Sequence, residues 1–351
     1  MASQKSRPMI GMLSQWKFTE EFRYACHCAA LEQGYGFFYF RPGSIDAANG
    51  TIEGYEWKDG DWVKRIFAYP DVVYDRYRRR WNDKSGCYEL LSGIPLTHTL
   101  SGGPNSKASF YQTLSRYDEL RPLLLPYIAR RPVAEVLAFV DEHRRVIFKP
   151  DAKARGQQIV FVTKTENGYE VDDQTYLHRM SERDFTAFLQ LMVHSRYTIQ
   201  KGIDSRTREG LPFSLRIHLM KNGTGQWIIA KISVLLSLTP HVQVTNHNNT
   251  FRSFSKWEHF LSAHYNEQDS GKLDAKVRAL SLATAAALEE ELGSGFHEIG
   301  LDLGIDEQGG LYAFEGNIGN IGMLYHELES ARYGIAYSAF VAETSRQLVH
   351  N

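Results

Sequence analysis

The stretch "EIGLDLGIDEQGGLYAFEGN", residues 298–317, reads as two strands around a turn. Ile299, Leu301, Leu303 and Ile305 alternate with Glu298, Gly300, Asp302, Gly304 and Asp306, the period of a strand with one apolar and one acidic face. In the second strand Tyr312 and Phe314 point one way, and Leu311, Ala313, Glu315 and Asn317 the other, with Gly309-Gly310 as the turn. A two- or four-residue loop sets Asp306 opposite Leu311, Asp302 opposite Glu315 and Gly300 opposite Asn317, whereas a three-residue loop with a bulge would shift that pairing. Like charges directly opposite each other cost about 0.2–1 kcal/mol on a wet sheet, and more in a cleft unless one takes a proton. A hard divalent cation removes the conflict: Mg²⁺ takes one or two carboxylates and completes its shell with phosphate and water. Asn317 adds a neutral oxygen, and the glycines beside Asp302 leave room for a bulky ligand. The competing reading is an edge hairpin whose acids face water.

The rest of the chain sets the frame. Its 351 residues exceed one ordinary domain, and 43% hydrophobic with 23% charged residues is the make-up of a soluble globular protein. A net charge of -1 gives no nucleic-acid footprint. No apolar run is long enough to span a bilayer, and the N-terminus carries neither an apolar h-region nor a cleavage site, so a cytoplasmic protein without a membrane partner is expected. Cys26, Cys28 and Cys87 match no zinc spacing or disulfide framework and are expected as reduced thiols. "RPMIGML", "TEEFRYACHCAALEQG" and "YGFFYFRP" predict a βαβ start, continued by the strand in "DVVYDRYRRR". Further on, a helix begins at "SKASFYQTLSRY" with Ser106 or Asn105 as cap, and another at "SERDFTAFLQLMVH" capped by Ser181 with Asp184 reaching back. Long helices cover "LDAKVRALSLATAAALEEELG" and "LESARYGIAYSAFVAETSRQL".

A second hairpin, residues 212–235, puts Ser214, Arg216 and His218 on one face. With Asn222-Gly223-Thr224-Gly225 as its loop, Arg216 faces Lys231 and Ser214 faces Ser233. Two opposed cations ask for an anion between them, or splay apart in solvent. In "VIFKP", Lys149 sits in an apolar strand, either snorkelling or paired with an anion. The following loop, "DAKARGQ", brings Lys153, Arg155 and Gly156 into a basic turn able to close over phosphates. Mg²⁺ with a polyphosphate is the simplest ligand that satisfies the acidic face, the cationic faces and the basic loop together. The run Arg76, Arg78, Arg79 and Arg80 lies at a strand end, where α/β ligands gather, and reads as a carboxylate site or a solvated edge. His241 and His247 read as solvated loop residues.

The order of these motifs resembles the ATP-grasp superfamily. Lys107 at a helix start, "VIFKP", "IQKGI", the arginine-bearing strand, an asparagine loop and "GLDL…FEGN" follow its pattern. "PMIGML", "PDVVYDRYRRR" and "SGIP" are similar to the endospore coat-associated YheC/YheD-type proteins. The resemblance covers nearly the whole chain. It implies an α/β and α+β fold: a pre-ATP-grasp α/β domain (1–98), a central subdomain (99–199) and a C-terminal subdomain (200–351), the last two enclosing ATP. It implies Lys107, Lys149, Lys153, Arg155 and Gly156 around the phosphates, and Gln200, Lys201 and Ile203 beside the adenine. Asp302, Glu315 and Asn317 would be ligands of Mg²⁺, as two ions, and Arg216, Lys231 and Asn246 would act at the transferred group. The implied activity is ATP-dependent carboxylate–amine ligation through an acyl phosphate on a small molecule or peptide. The alternatives are an ATP-binding, non-catalytic assembly protein with spore-coat partners, or a small-molecule kinase; a homodimer fits any of them. Departures from the pattern are Ser214 in place of an aspartate, a phosphate loop with a single glycine, no arginine near Lys231-Ile232-Ser233, "TNHNNT" without a glycine pair, and "GNIGN" for Asn-x-Pro-Gly.

Overall fold

The computed structural model describes residues 7–15, 19–101, 107–129, 131–150, 159–193, 197–239, 252–318, 321 and 326–350. They form three sheets, one after another along the chain.

The first sheet comprises β1 (Met9–Leu13), β2 (Gly36–Asp46), β3 (Thr51–Lys58), β4 (Asp61–Ala68) and β5 (Val72–Asp75), in the order β4-β3-β2-β1-β5. β1 runs parallel to both β2 and β5, as the βαβ pattern predicts. Its crossover helix α1 (Glu20–Glu32) starts at Thr19, whose hydroxyl accepts from the Phe22 N–H at 3.3 Å. The hairpin β3–β4 was not anticipated. β4 is exposed along most of its length, so its charges hide the alternation, although Asp59-Gly60 between the strands is a hairpin turn signal. A short helix α2 (Cys87–Leu90) follows, and all three cysteines are free thiols.

Next come α3 (Lys107–Ser115), β6 (Tyr127–Ala129), α4 (Val133–His143), β7 (Arg145–Pro150), β8 (Val160–Thr165), β9 (Gly168–Asp172), β10 (Leu177–Met180), α5 (Glu182–Val193) and β11 (Tyr197–Lys201). The central sheet is antiparallel, in the order β10-β9-β8-β7-β11-β6. Its apolar face packs on α4 and α5 through Phe139, Val140, Phe185 and Leu189. The expected cap of α5 is present: the Asp184 N–H donates to Ser181 Oγ at 3.2 Å, and that hydroxyl donates to the Asp184 carboxylate at 2.7 Å. The caps proposed for α3 lie outside the described residues.

The third sheet, order β14-β13-β12-β15-β16, is antiparallel and comprises β12 (Phe213–Lys221), β13 (Trp227–Ser237), β14 (Arg252–Lys256), β15 (Glu298–Ile305) and β16 (Leu311–Asn317). α6 (Trp257–His264) and α7 (Glu267–Leu292) cover its apolar face together with α3, burying Leu215, Ile217, Leu301 and Leu303. The last helix, α8 (Glu327–His350), returns to the first sheet. Its Ala331, Ile335 and Ala339 pack with Phe22 and Ala29 of α1 and with Tyr74 of β5. Gly334 permits that approach, since a Cβ there would sit 2.2 Å from the Tyr74 hydroxyl oxygen.

Candidate nucleotide and metal site

Asp302 and Glu315 are opposite each other, and Gly300 is opposite Asn317, as the alternation predicts. The register beyond them differs. The ladder slips between Asp302 and Leu303, Phe314 becomes the extra residue, and Leu311 pairs with Ile305 rather than Asp306. This bulge turns Leu311 and Ala313 into the core while Glu315 and Asn317 keep the acidic face, so both patterns are satisfied at once. Asp306 instead closes the turn, its backbone N–H donating to the Gly310 carbonyl at 3.0 Å. The room expected beside the glycines is already taken. A Cβ at Gly304 would meet the Phe314 ring at 2.3 Å and Ile203 at 2.7 Å, and one at Gly300 would meet Ile321 at 3.1 Å.

Across the next strand, Asp302 pairs with Arg216. The guanidinium grips the carboxylate in a bidentate contact, with Nη2 to Oδ2 at 2.8 Å. Burial pushes the Asp302 carboxyl up to about 6; Arg216 opposes the rise, and the adjoining Glu315 adds to it. Asn317 Nδ2 donates to Glu315 Oε1 at 3.1 Å. The donor set is therefore two carboxylates and an amide, one carboxylate holding its proton unusually firmly. It suits Mg²⁺ that draws its remaining ligands from phosphate and water. Among the described residues no group of three or more His, Cys, Asp or Glu side chains could hold a metal by itself.

The expected opposition of Arg216 and Lys231 is corrected. A slip between His218 and Leu219 leaves Ala230 unpaired, so Lys231 faces His218 and Arg216 faces Ser233. Lys231 stays on the site face two pairs along, 3.7 Å from Glu329 of α8. Arg216 finds its anion in Asp302, not between two cations. One registered row now crosses the whole sheet: Glu315, Asp302, Arg216, Ser233, Lys256.

Lys149 reaches this face from the central sheet. Its ammonium lies 5.4 Å from the centre of the Phe314 ring and donates to Gln200 Oε1. Gln200 is buried, and its amide bonds the Tyr111 hydroxyl, which donates to the Ala313 carbonyl at 2.7 Å. Lys149, Gln200, Tyr111 and β16 thus form one connected chain, and Tyr111 is a member that sequence reasoning missed. The backbone N–H of Lys201 bonds the Pro126 carbonyl at 2.9 Å, and Ile203 packs over Gly304. Lys107 opens α3, but its side chain, with Lys153, Arg155, Gly156, Asn246, His241 and His247, lies outside the described residues.

The arginine run is neither solvated nor open to a substrate at its first two members. Arg76 and Arg78 are buried, and both bond Glu298 Oε2. Glu298 Oε1 lies 2.7 Å from His218 Nε2, and His218 Nδ1 lies 2.5 Å from His326 Nε2. Glu298 is an acceptor only, so His218 donates to it through Nε2. This cluster joins β5, β12, β15 and the segment leading into α8. Arg79 and Arg80 instead lie over the rings of Tyr77 and Tyr88.

Comparison with known proteins agrees with this architecture. A family profile described as "YheC/D like ATP-grasp" matches residues 97–335. The endospore coat-associated protein YheD of Bacillus subtilis (strain 168) is 26% identical over 310 residues, 82% of this chain and 65% of YheD. YheC of the same organism is 22% identical over 212 residues, 56% of this chain and 58% of YheC. The chain therefore spans less than two thirds of the length of either relative. Two solved structures share the fold: D-alanyl-alanine synthetase A from Vibrio cholerae, with TM-score 0.51 and 14% identity over 98% of this chain and 99% of that one, and the ATP-grasp ligase PsnB complexed with a minimal precursor, with TM-score 0.50 and 10% identity over 97% and 99%.

Proposed function

The chain belongs to the YheC/D-like ATP-grasp family, and on that premise we propose that it binds ATP and Mg²⁺ between the central and C-terminal sheets and joins a carboxylate to an amine. The proposed units are residues 1–98, 99–199 and 200–351. The observation that carries the reading is the opposed pair Asp302–Glu315 with Arg216 bonded to one member and Lys149 standing over the adjoining Phe314.

Asp302, Glu315 and Asn317 would hold the metal, which supplies Lewis-acid polarisation of the bound phosphates. Asp302 is bonded to Arg216, so a metal held there would share this carboxylate with the guanidinium, which would stand beside the carboxylate receiving the phosphoryl group. Lys149 offsets charge from the other sheet and Lys231 from two pairs along. The carboxylate takes the γ-phosphoryl group of ATP as ADP leaves; the amine then attacks the acyl phosphate, the amide forms as phosphate leaves, and the amine's proton passes to solvent; no nucleophilic side chain takes part, so the protein's work is positioning and charge neutralisation. The assignments of Lys107, Lys153, Arg155, Gly156 and Asn246 to phosphates and acceptor, and of Gln200, Lys201 and Ile203 to the adenine, follow the family pattern.

Calorimetric titration with a non-hydrolysable ATP analogue, with and without Mg²⁺, tests the site on the native chain and on Glu315→Gln. Mg²⁺-dependent binding that the substitution weakens is expected, followed by amine-dependent phosphate release from ATP when carboxylate and amine pools are supplied. Absence of nucleotide binding under every condition would sink the proposal. A second reading, nucleotide binding without turnover in a larger assembly, is favoured by Ser214, "TNHNNT" and "GNIGN" on the acceptor side and by the coat association of YheD and YheC. It expects binding without amine-stimulated turnover, and function in cells surviving Asp302→Asn.

A further inference from the structure

The hydrogen bonds that join Lys149, Gln200 and Tyr111 have directions fixed by their chemistry. An ammonium only donates, so the Gln200 side-chain oxygen faces Lys149 and the amide nitrogen faces Tyr111. A flipped amide would set two donors against each other at Lys149. The Tyr111 hydroxyl accepts from Gln200 and donates to the Ala313 carbonyl at 2.7 Å. Burial pushes this hydroxyl well above its ordinary range; the bond from Gln200 opposes the rise, and Tyr127 and Glu315 add to it. Tyr111 therefore keeps its proton and stays a donor. Packing builds the anchor. A Cβ at Gly316 would meet the Phe110 ring at 2.5 Å, so glycine there lets α3 settle on β16 and brings Tyr111, the next residue, against Ala313. At the other end Gln200 pairs with Ile147 and Thr198 with Lys149, which puts the Gln200 and Lys149 side chains on one face of the central sheet. The ammonium is thus tied, through two side chains, to the strand that carries Glu315 and Asn317.

We infer that Gln200 and Tyr111 are positioning residues for Lys149, aiming its ammonium at the phosphates of the nucleotide from an anchor on β16. The inference rests on the nucleotide reading above and changes one part of it: Gln200 serves the phosphates through Lys149, and the adenine is left to Lys201 and Ile203. A mobile lysine loses rotamer freedom when it meets a phosphate, whereas one already held by Gln200 has lost it on folding. Because the anchor is the Ala313 carbonyl, two residues before Glu315, the chain also sets the ammonium at a constant distance from the metal ligands across the gap between the two sheets.

The test is a double-mutant cycle, read by calorimetric titration of the full chain with a non-hydrolysable ATP analogue and its GTP counterpart in Mg²⁺. Lys149→Met should weaken the ATP analogue at least tenfold. Gln200→Met keeps the side-chain length and loses the acceptor; it should weaken binding about tenfold, and Tyr111→Phe about threefold. In Lys149→Met chains neither substitution should weaken binding further by more than about twofold. Neither should change the preference for ATP over GTP. A general loosening of the fold would instead lower affinity equally in the Lys149→Met background. A direct contact of Gln200 with the adenine would do the same and erode the preference for ATP. Either result overturns the inference, as does native affinity in Lys149→Met or in both Gln200→Met and Tyr111→Phe. Tyr111→Phe conserves volume and keeps the cycle readable where Gln200→Met folds poorly. If the native chain binds no ATP analogue, the nucleotide reading falls and this role falls with it; if it binds and only the coupling is missing, the inference alone falls.

Discussion

Glu298 and Asp302 lie four residues apart on one strand and one face, yet the protein treats them in opposite ways. Burial alone would raise the pKa of both. At Glu298 two arginines and His218 overturn burial and hold the carboxyl well below its ordinary range. At Asp302 one arginine is set against burial and a second carboxylate, and the group rises to about 6. The first is a closed ionic knot between sheets. The second is left short of positive charge, on a face 13% exposed at both Asp302 and Arg216, which is the condition for taking up a cation.

The largest test of that contrast is stability. Glu298→Gln leaves Arg76 and Arg78 buried without their counter-charge and should destabilise the fold by about 3–5 kcal/mol in denaturant titration. Asp302→Asn removes one of two repelling carboxylates and should cost far less; equal losses would break the comparison. Next in size is ligand binding. Asp302→Asn or Glu315→Gln should weaken Mg²⁺-dependent nucleotide binding at least tenfold, about 1.4 kcal/mol or more, whereas any effect of Glu298→Gln should track its loss of folded protein.

The two groups also differ in the sign of their pH dependence. The raised pKa of Asp302 contributes stability that is complete below its unfolded value, about 3.9, and is lost as pH rises through about 6. Mg²⁺ with nucleotide should replace the lost proton, so the ligand-induced rise in Tm should be large at pH 8 and shrink as pH falls below about 6. Glu298 works the other way: its contribution is present above about 4.3, the unfolded value, and lost only as pH falls toward its depressed pKa. A ligand-induced Tm shift that stays flat from pH 5 to 8 would contradict the assignment at Asp302. The smallest effect belongs to the link between the sheets. Tyr111→Phe removes the hydroxyl shared by Gln200 and the Ala313 carbonyl and should cost about 1 kcal/mol, read as a small fall in Tm.

Much of this was legible in the residues. Alternation of period two marked the acidic face of β15 and its pairing with Glu315. Ser181 and Asp184 marked the start of α5, and the order of lysine, arginine and carboxylate motifs carried the family. These are local signals, each written within a few residues by strand period or cap geometry. What escaped was set by contacts between distant segments. Ala230 and Phe314 became bulges because each lets apolar neighbours reach the core while charged ones keep the site face, a balance that depends on what packs behind the sheet. Arg76 and Arg78 looked like a solvated edge or a substrate clamp until Glu298, more than two hundred residues on, arrived against them. Which faces carry charge, and in what order along the chain, is written in local alternation. Which of those charges neutralise one another is settled by the fold, because the pKa of a buried group depends on the distances to its neighbours in space and not on their spacing along the chain.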